Sequence, residues 1–121
     1  MSISFYTLLH IIGLILLVQA VGAASFHRMQ TGEASHPRMK LLSIMHGVGL
    51  LFMLVSGFGM LAQLGITGGL PNWIYAKLAI WLVFGASIAL VNRGKGSPML
   101  WWALVVVLGG VAGWLGIFKP F

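Results

Sequence analysis

The chain has 121 residues, of which 60% are hydrophobic and only 7% are charged, and its mean hydropathy is +1.02. Soluble domains carry about 25% charged residues, so this composition excludes an ordinary water-soluble domain and predicts an integral membrane protein. The absence of cysteine excludes disulfides and thiolate metal sites, and the formal charge of +6 does not indicate nucleic-acid binding, because most basic residues lie in short loops between apolar segments.

Four apolar segments are long enough to cross a bilayer, which takes about 20 residues of helix. They cover residues 3–25, 41–64, 73–91 and 99–118. Because backbone amides in lipid must be satisfied within the segment, each is expected to be helical. The sequence therefore predicts an all-α fold, with one transmembrane domain over residues 1–121 that forms an integral membrane four-helix bundle.

The first segment contains His10, an ionisable side chain inside an apolar run. The segment ends in small residues, as a signal peptide does, but it lacks a basic N-terminal region and is expected to be retained. Thr31-Gly32 and His36-Pro37 are helix-breaking signals in the loop that follows. The basic side chains of this loop are expected to contact lipid headgroups or an acidic partner subunit. They are His27, Arg28, His36, Arg38 and Lys40.

The second segment carries His46 near its N-terminal end, on a helical face made of small and flexible residues. This face continues through Gly49, Met53, Gly57 and Met60. Small residues beside a histidine leave room for a flat ring, so His46 is a candidate heme ligand, with His27 or a methionine as the second ligand. The same pattern is also typical of helix packing. Histidine together with Met45, Met53 and Met60 is, in addition, a ligand set that copper(I) accepts.

The third segment contains Lys77, and Lys119 follows the fourth segment. The first and third loops are basic, whereas the second is uncharged. The lysines and arginines of the two basic loops are Arg28, Arg38, Lys40, Arg93 and Lys95. The positive-inside rule then predicts both termini on the outer side. In a bacterial inner membrane the termini would be periplasmic, and the first and third loops cytoplasmic.

Small residues recur four positions apart in three of the segments. The pairs are Ser43 with Gly47, Gly85 with Ala89, and Gly109 with Gly113. Such spacing lets helix backbones approach closely. We expect these faces to pack within the bundle, or against other copies of the chain or other membrane subunits.

His10 and Lys77 are expected at the same depth on the outer side of the membrane. At a rise of about 1.5 Å per residue, each lies roughly 8–9 Å below the outer end of its helix. An imidazole and an amine in one pocket suit anion binding, proton transfer, or heme ligation by the histidine with the lysine pairing a propionate. Alternatively, Lys77 extends to the headgroups and His10 bonds a neighbouring helix carbonyl.

Three short stretches resemble a known family. They are Leu9-His10-Ile11-Ile12-Gly13, Ala76-Lys77-Leu78-Ala79 and Lys119-Pro120-Phe121. These stretches are similar to segments of the bacterial membrane protoporphyrinogen IX oxidases, and to the broader group of copper-resistance CopD-domain proteins. In the oxidases a first-helix histidine and a third-helix lysine serve heme or porphyrin, which by resemblance implies such roles for His10 and Lys77.

Three functional hypotheses follow. The first is a membrane subunit or binding protein of a larger assembly, with heme b as its candidate cofactor in a pocket of His10, His46 and Lys77. The second is an oxidoreductase of porphyrin or heme metabolism, and the third is a copper-handling membrane protein. His10 and His46 are the candidate heme ligands. The expected partners are the lipid bilayer and either other copies of this chain or other membrane subunits, and not nucleic acid.

Overall fold

A computed structural model describes residues 2–33, 36–65, 69–94 and 96–119 of the chain. These residues form four helices and no strand: α1 Ile3–Thr31, α2 Met39–Gln63, α3 Asn72–Asn92 and α4 Pro98–Phe118. Each helix is long and apolar enough to cross a membrane. The predicted all-α membrane four-helix bundle is therefore confirmed.

The first helix is longer than its apolar segment. Hydropathy predicts an end near Ser25, whereas α1 continues to Thr31. The extension is stabilised locally, because the Thr31 hydroxyl donates to the His27 carbonyl at 2.9 Å. Gly32 then caps the helix in the left-handed region, with φ of 75°, and its amide donates to the Arg28 carbonyl. The helix thus ends at the Thr31-Gly32 signal and not where the apolar run ends.

The helices are not packed evenly. Helix α1 contacts each of the other three, and its most extensive contact is with α2. Helix α3 also contacts the other three, whereas α2 and α4 do not touch in the described part of the chain. Helices α1 and α3 therefore lie across the middle of the bundle, and α2 and α4 occupy opposite corners.

Helices α1 and α2 cross at two glycines. A Cβ atom added to Gly13 would lie 2.7 Å from the Gly49 carbonyl oxygen, and one added to Gly49 would lie 2.5 Å from the Gly13 oxygen. Both distances are shorter than van der Waals contact, so only glycine permits this approach. The close contact is not one of the three predicted small-residue pairs. A Cβ at Gly47 or Gly113 would meet no atom within 4 Å, whereas Gly85 lies against Leu50 of α2 and Gly109 against Leu14 of α1.

Helices α2 and α3 are joined by side chains that bond to the backbone of the opposite helix. His46 Nε2 donates to the Phe84 carbonyl at 2.7 Å, and Trp81 Nε1 donates to the Leu50 carbonyl at 3.1 Å. Ser87 donates to the same Phe84 oxygen at 2.7 Å. The Ser87 bond lies within α3, whereas the His46 and Trp81 bonds cross the interface and hold two helices whose surfaces otherwise touch little.

The apolar core fills the half of the bundle that faces the two basic loops. Its fully buried members on α1 are Leu17, Ala20, Val21 and Ala24. Phe84 and Val91 from α3 and Val105 from α4 pack with them. A second, smaller cluster contains Leu61, Trp73, Ile74 and Leu115 near the other end. Between the two clusters the helices enclose a cavity.

Candidate functional site

The structure places His10 and Lys77 in the wall of one cavity. The cavity has a volume of about 400 Å³ and takes residues from all four helices. It lies in the half of the bundle that holds both termini, since Ile3 at the start of α1 and Lys119 after α4 both line it. The two residues that the depth argument pairs are thus brought together, close enough for electrostatic interaction.

The cavity wall is almost entirely apolar, and bulky side chains line one side of it whereas small residues line the other. Helices α2 and α3 supply bulky side chains: Met53, Leu54, Phe58, Met60, Leu61, Trp73, Ile74, Trp81 and Phe84. Helix α4 supplies small residues one turn apart: Gly109, Ala112, Gly113 and Gly116. The small residues make a flat wall of backbone. A cavity with one flat wall accommodates a planar apolar molecule best.

A serine orients the imidazole of His10. The Ser56 hydroxyl donates to the Met53 carbonyl at 3.1 Å, so its oxygen accepts from His10 Nδ1 at 2.8 Å. The Met53 carbonyl also interacts with the His10 ring. A neutral ring that is protonated on Nδ1 would keep the lone pair of Nε2 for a ligand. Ser56 is completely buried, and its only role visible here is to hold this ring. His10 therefore offers a lone pair that a metal or a proton donor can take.

Two lysines converge at the end of the cavity. Lys77 Nζ lies 3.0 Å from the position of a Cβ on Gly116, so the ammonium rests against bare backbone. Lys119 Nζ donates to the Gly116 carbonyl at 2.8 Å and lies 5.4 Å from the centroid of the Trp73 ring. The two cations repel each other across this short stretch. An anion placed between them would relieve that repulsion.

No side-chain carboxylate of this chain can serve as that anion. Glu33 is the only acidic residue in the sequence, and it follows α1 at the opposite end of the bundle, where its oxygen lies 3.9 Å from His27 Nε2. The structure shows no hydrogen bond or ion pair for the Lys77 ammonium among the described residues. The cavity therefore carries positive charge that a ligand or lipid headgroup can neutralise.

His46 lies apart from this cavity. It is 3% exposed, does not line the cavity wall, and directs Nε2 to the Phe84 carbonyl. A nitrogen that donates to a carbonyl has no lone pair for a metal, so His46 would have to coordinate through Nδ1. His27 does not line the cavity either, and its ring lies 4.8 Å from that of His36, tilted by 57°. The structure thus separates the two candidate heme histidines, and the role of His46 as a ligand stays a prediction.

The ligands proposed for copper are divided in the same way. Met53 and Met60 line the cavity with His10, whereas Met45 packs against the apolar core. The part of the chain that the structure describes holds no group of three or more His, Asp or Glu side chains suited to a metal. Any metal in the cavity would consequently depend on His10 and thioether sulfur.

The basic residues of the first and third loops gather at the other end of the bundle. Arg28 Nη2 donates to the Gly94 carbonyl at 2.9 Å and thereby ties the end of α1 to the third loop. Arg38, Lys40 and Arg93 are exposed, as lipid or partner contacts require. Lys95 lies outside the described residues. Arg28 thus has a structural role that its charge alone does not suggest.

Sequence reasoning did not assign Ser56 or Lys119 to the site. Ser56 stands next to Gly57 on the face predicted for a flat ring, but nothing in its spacing indicates His10 as its partner. The sequence shows Lys119 only as a charge after the fourth segment and as part of the closing stretch. Its approach to Lys77 depends on how α4 is placed beside α3, which hydropathy does not specify.

The resemblance to the membrane oxidases and CopD-domain proteins rests on stretches that meet at this cavity. His10, Lys77 and Lys119 each line it, while Pro120 and Phe121 lie outside the described residues. The resemblance itself stays a prediction. In comparisons with protein-family models, with characterised proteins and with solved structures, no match to this chain is found.

Proposed function

We propose that this chain is a membrane binding subunit that holds a flat, apolar, anionic ligand of the porphyrin class, with heme b as the cofactor that uses every feature of the cavity. One observation carries the proposal. His10 shares an apolar cavity with two lysines, and the one acidic side chain of the sequence, Glu33, lies at the opposite end of the bundle. Shape, charge and ligand chemistry all favour the same kind of molecule.

Two cations at one end of an apolar cavity favour an amphipathic anion as the ligand. An ammonium within a membrane is costly unless a counter-charge is supplied, and the cavity offers Lys77 and Lys119 together. A ligand with two carboxylates at one edge and an apolar body would pair both cations and fill the remaining wall. Porphyrins with propionate groups have this distribution of charge.

The residues present also fit the iron of a heme. His10 would ligate the iron, and a thioether from Met53 or Met60 could serve as a second ligand, since all three residues line the cavity. The glycines of α4 would face the ring. Heme in such a site supplies one-electron chemistry, while this chain binds, orients and shields the group.

Removing the charge of Lys77 is expected to weaken the binding of carboxylate-bearing porphyrins. In Lys77→Met the length and apolar body of the side chain are kept but the ammonium is lost, so we expect at least about tenfold weaker binding. The measurement is titration of the detergent-purified protein with hemin and with iron-free protoporphyrin IX, followed by absorption and fluorescence. The matched control is Lys40→Met, which removes an exposed charge at the opposite end.

The two porphyrins separate charge pairing from iron ligation. If Lys77 pairs a carboxylate, its replacement weakens both titrations to a similar extent, because the iron is not involved. Equal affinity of the wild-type protein and Lys77→Met for both porphyrins would contradict the proposed role of the lysine. Failure of the wild-type protein to bind either would contradict the proposed function as a whole.

Copper handling is the second candidate, and a specific observation favours it. Met53 and Met60 lie in the same cavity as His10, and the Thr7 hydroxyl is 3.4 Å from Met60 Sδ. One imidazole and two thioethers are an acceptable set for copper(I). It requires no role for the two lysines, however, so the porphyrin proposal explains more of the cavity. The titrations distinguish the two candidates, since a site built only for copper(I) would bind neither porphyrin.

We further propose that the termini face outward, into the periplasm if the membrane is a bacterial inner membrane. The exposed basic residues of the first and third loops support this orientation. Because the chain has no cysteine, single cysteines report on it directly. Ser2→Cys is expected to react with a membrane-impermeant maleimide in intact cells, whereas Ser97→Cys reacts only after lysis. The reverse pattern would show the opposite orientation.

A further inference from the structure

Helix α1 exposes an amide side chain to the hydrocarbon. Gln19 lies nine residues before Arg28, which at a rise of about 1.5 Å per residue is roughly 13 Å deeper in the membrane. The residue is exposed on the bundle surface. Its side chain makes no hydrogen bond with any of the residues that the structure describes. A polar group with both donors and an acceptor therefore faces lipid.

Lipid cannot satisfy this group. Hydrocarbon offers no hydrogen-bond partner, and the short glutamine side chain cannot extend to headgroups as lysine does. Polar side chains on membrane helices are instead satisfied by bonding across a helix–helix contact. Gln19 thus requires a partner that the described part of the chain does not provide.

Gln19 belongs to a stripe on α1 that is exposed up to Gln19, whereas beyond it Trp102 of α4 lies beside Gly22 and packs edge to face on Phe26, with ring centroids 6.3 Å apart. At about 100° per residue, the members of this stripe lie within roughly 40° of one direction on the helix. They are Leu8, Ile12, Ile15, Gln19 and Phe26. The four apolar members are 57%, 39%, 57% and 51% exposed in that order. The spacing of three and four residues suits packing against another helix. We call this surface the Gln19 stripe.

We propose that two copies of this chain associate in the membrane through the Gln19 stripe of α1. A two-fold axis beside Gln19 places the two amides opposite each other, and each amide can donate to and accept from the other. The stripe carries no charge that would call for a complementary surface on a different protein. The proposal goes beyond ligand binding and does not depend on it, because no member of the stripe lines the cavity.

The cysteine-free sequence allows a direct test by disulfide cross-linking. Ile15→Cys places a thiol one turn from Gln19 in the same stripe, and mild oxidation in native membranes is expected to give a disulfide-linked dimer. The matched control is Val107→Cys on α4, a position 59% exposed and outside the stripe, which should not cross-link. Adding Gln19→Leu to Ile15→Cys should reduce the dimer yield about tenfold, whereas Gln63→Leu should not change it.

Gln19→Leu increases the apolar character of α1, so loss of the dimer would not result from unfolding. Gln19→Asn, which keeps a shorter amide, should restore part of the yield. An unchanged yield with Gln19→Leu, or equal cross-linking of Val107→Cys, would overturn the proposal. Cross-linking of Ile15→Cys only to a protein of different mass would also overturn it, in favour of another membrane subunit.

Discussion

Replacing His10 with alanine is expected to abolish the heme spectrum of the purified protein. The wild-type protein loaded with heme should give a Soret band and sharp bands after reduction, because an imidazole nitrogen ligates the iron. His10 is the histidine in the cavity wall, and because Nδ1 contacts Ser56, Nε2 is the nitrogen proposed to bind the iron. Its removal leaves no imidazole there, so the ligated spectrum should be lost and not merely weakened.

His46→Ala provides the contrast. His46 bonds the Phe84 carbonyl and does not line the cavity, so its replacement should leave the Soret band in place. The His46→Ala variant should instead be less stable to heat, since a buried hydrogen bond between α2 and α3 is lost and a small void remains. We expect its free energy of unfolding to fall by about 1–3 kcal/mol. Absorption spectra and thermal unfolding of both variants separate ligation from helix packing.

Added imidazole supplies a further control. The space left in His10→Ala can admit a free imidazole, which should restore the Soret band without repairing any general folding defect. If His10→Ala keeps the wild-type spectrum and His46→Ala loses it, the assignment of the ligand to His10 is wrong. The two histidines would then exchange the roles proposed for them.

The features that depend on depth in the membrane were predictable from the sequence. Lipid demands helices of a certain length, and the rise per residue then gives the height of each polar side chain. This was enough to pair His10 with Lys77, although they are far apart in sequence. It was also enough to identify all the helices, apart from the polar extension of α1 up to Thr31.

The features that depend on rotation of the helices about their axes were not predictable. His46 and His10 both look like ligands in the sequence, but His46 turns towards α3 and is satisfied there. Lys119 joins the site only because α4 passes close to α3 at Gly116. Apolar residues surround nearly every helix, so hydropathy gives no strong preference for one face, and close packing decides the rotation.

Gly49→Ala is expected to destabilise the bundle strongly, although alanine is the better helix former. A methyl group at this position would lie 2.5 Å from the Gly13 carbonyl oxygen and 3.0 Å from the Leu17 amide nitrogen. Both are backbone atoms of α1, so no side-chain rotation can relieve the overlap, and the helices must separate. We expect a loss of about 1–3 kcal/mol in the free energy of unfolding.

Gly47→Ala is the matched control, since it makes the same chemical change two residues away on α2. A Cβ at Gly47 meets no atom within 4 Å. This variant should therefore be neutral or more stable by up to about 1 kcal/mol, through helix propensity alone. Reversible unfolding of both variants in mixed detergent micelles, followed by circular dichroism, measures the difference. Equal stabilities would show that α1 and α2 do not cross at these glycines.

The same substitution also tests the link between this crossing and the cavity. Gly13 and Gly49 lie one turn from His10 and Met53 respectively, and both of these residues line the cavity. Separating α1 from α2 at the crossing would carry His10 Nδ1 away from the Ser56 oxygen, now 2.8 Å distant. Gly49→Ala should therefore weaken heme binding as well as stability, whereas Gly47→Ala should change neither property for the worse. A destabilised Gly49→Ala protein with unaltered heme affinity would mean that Ser56 does not need the close crossing to orient the ring.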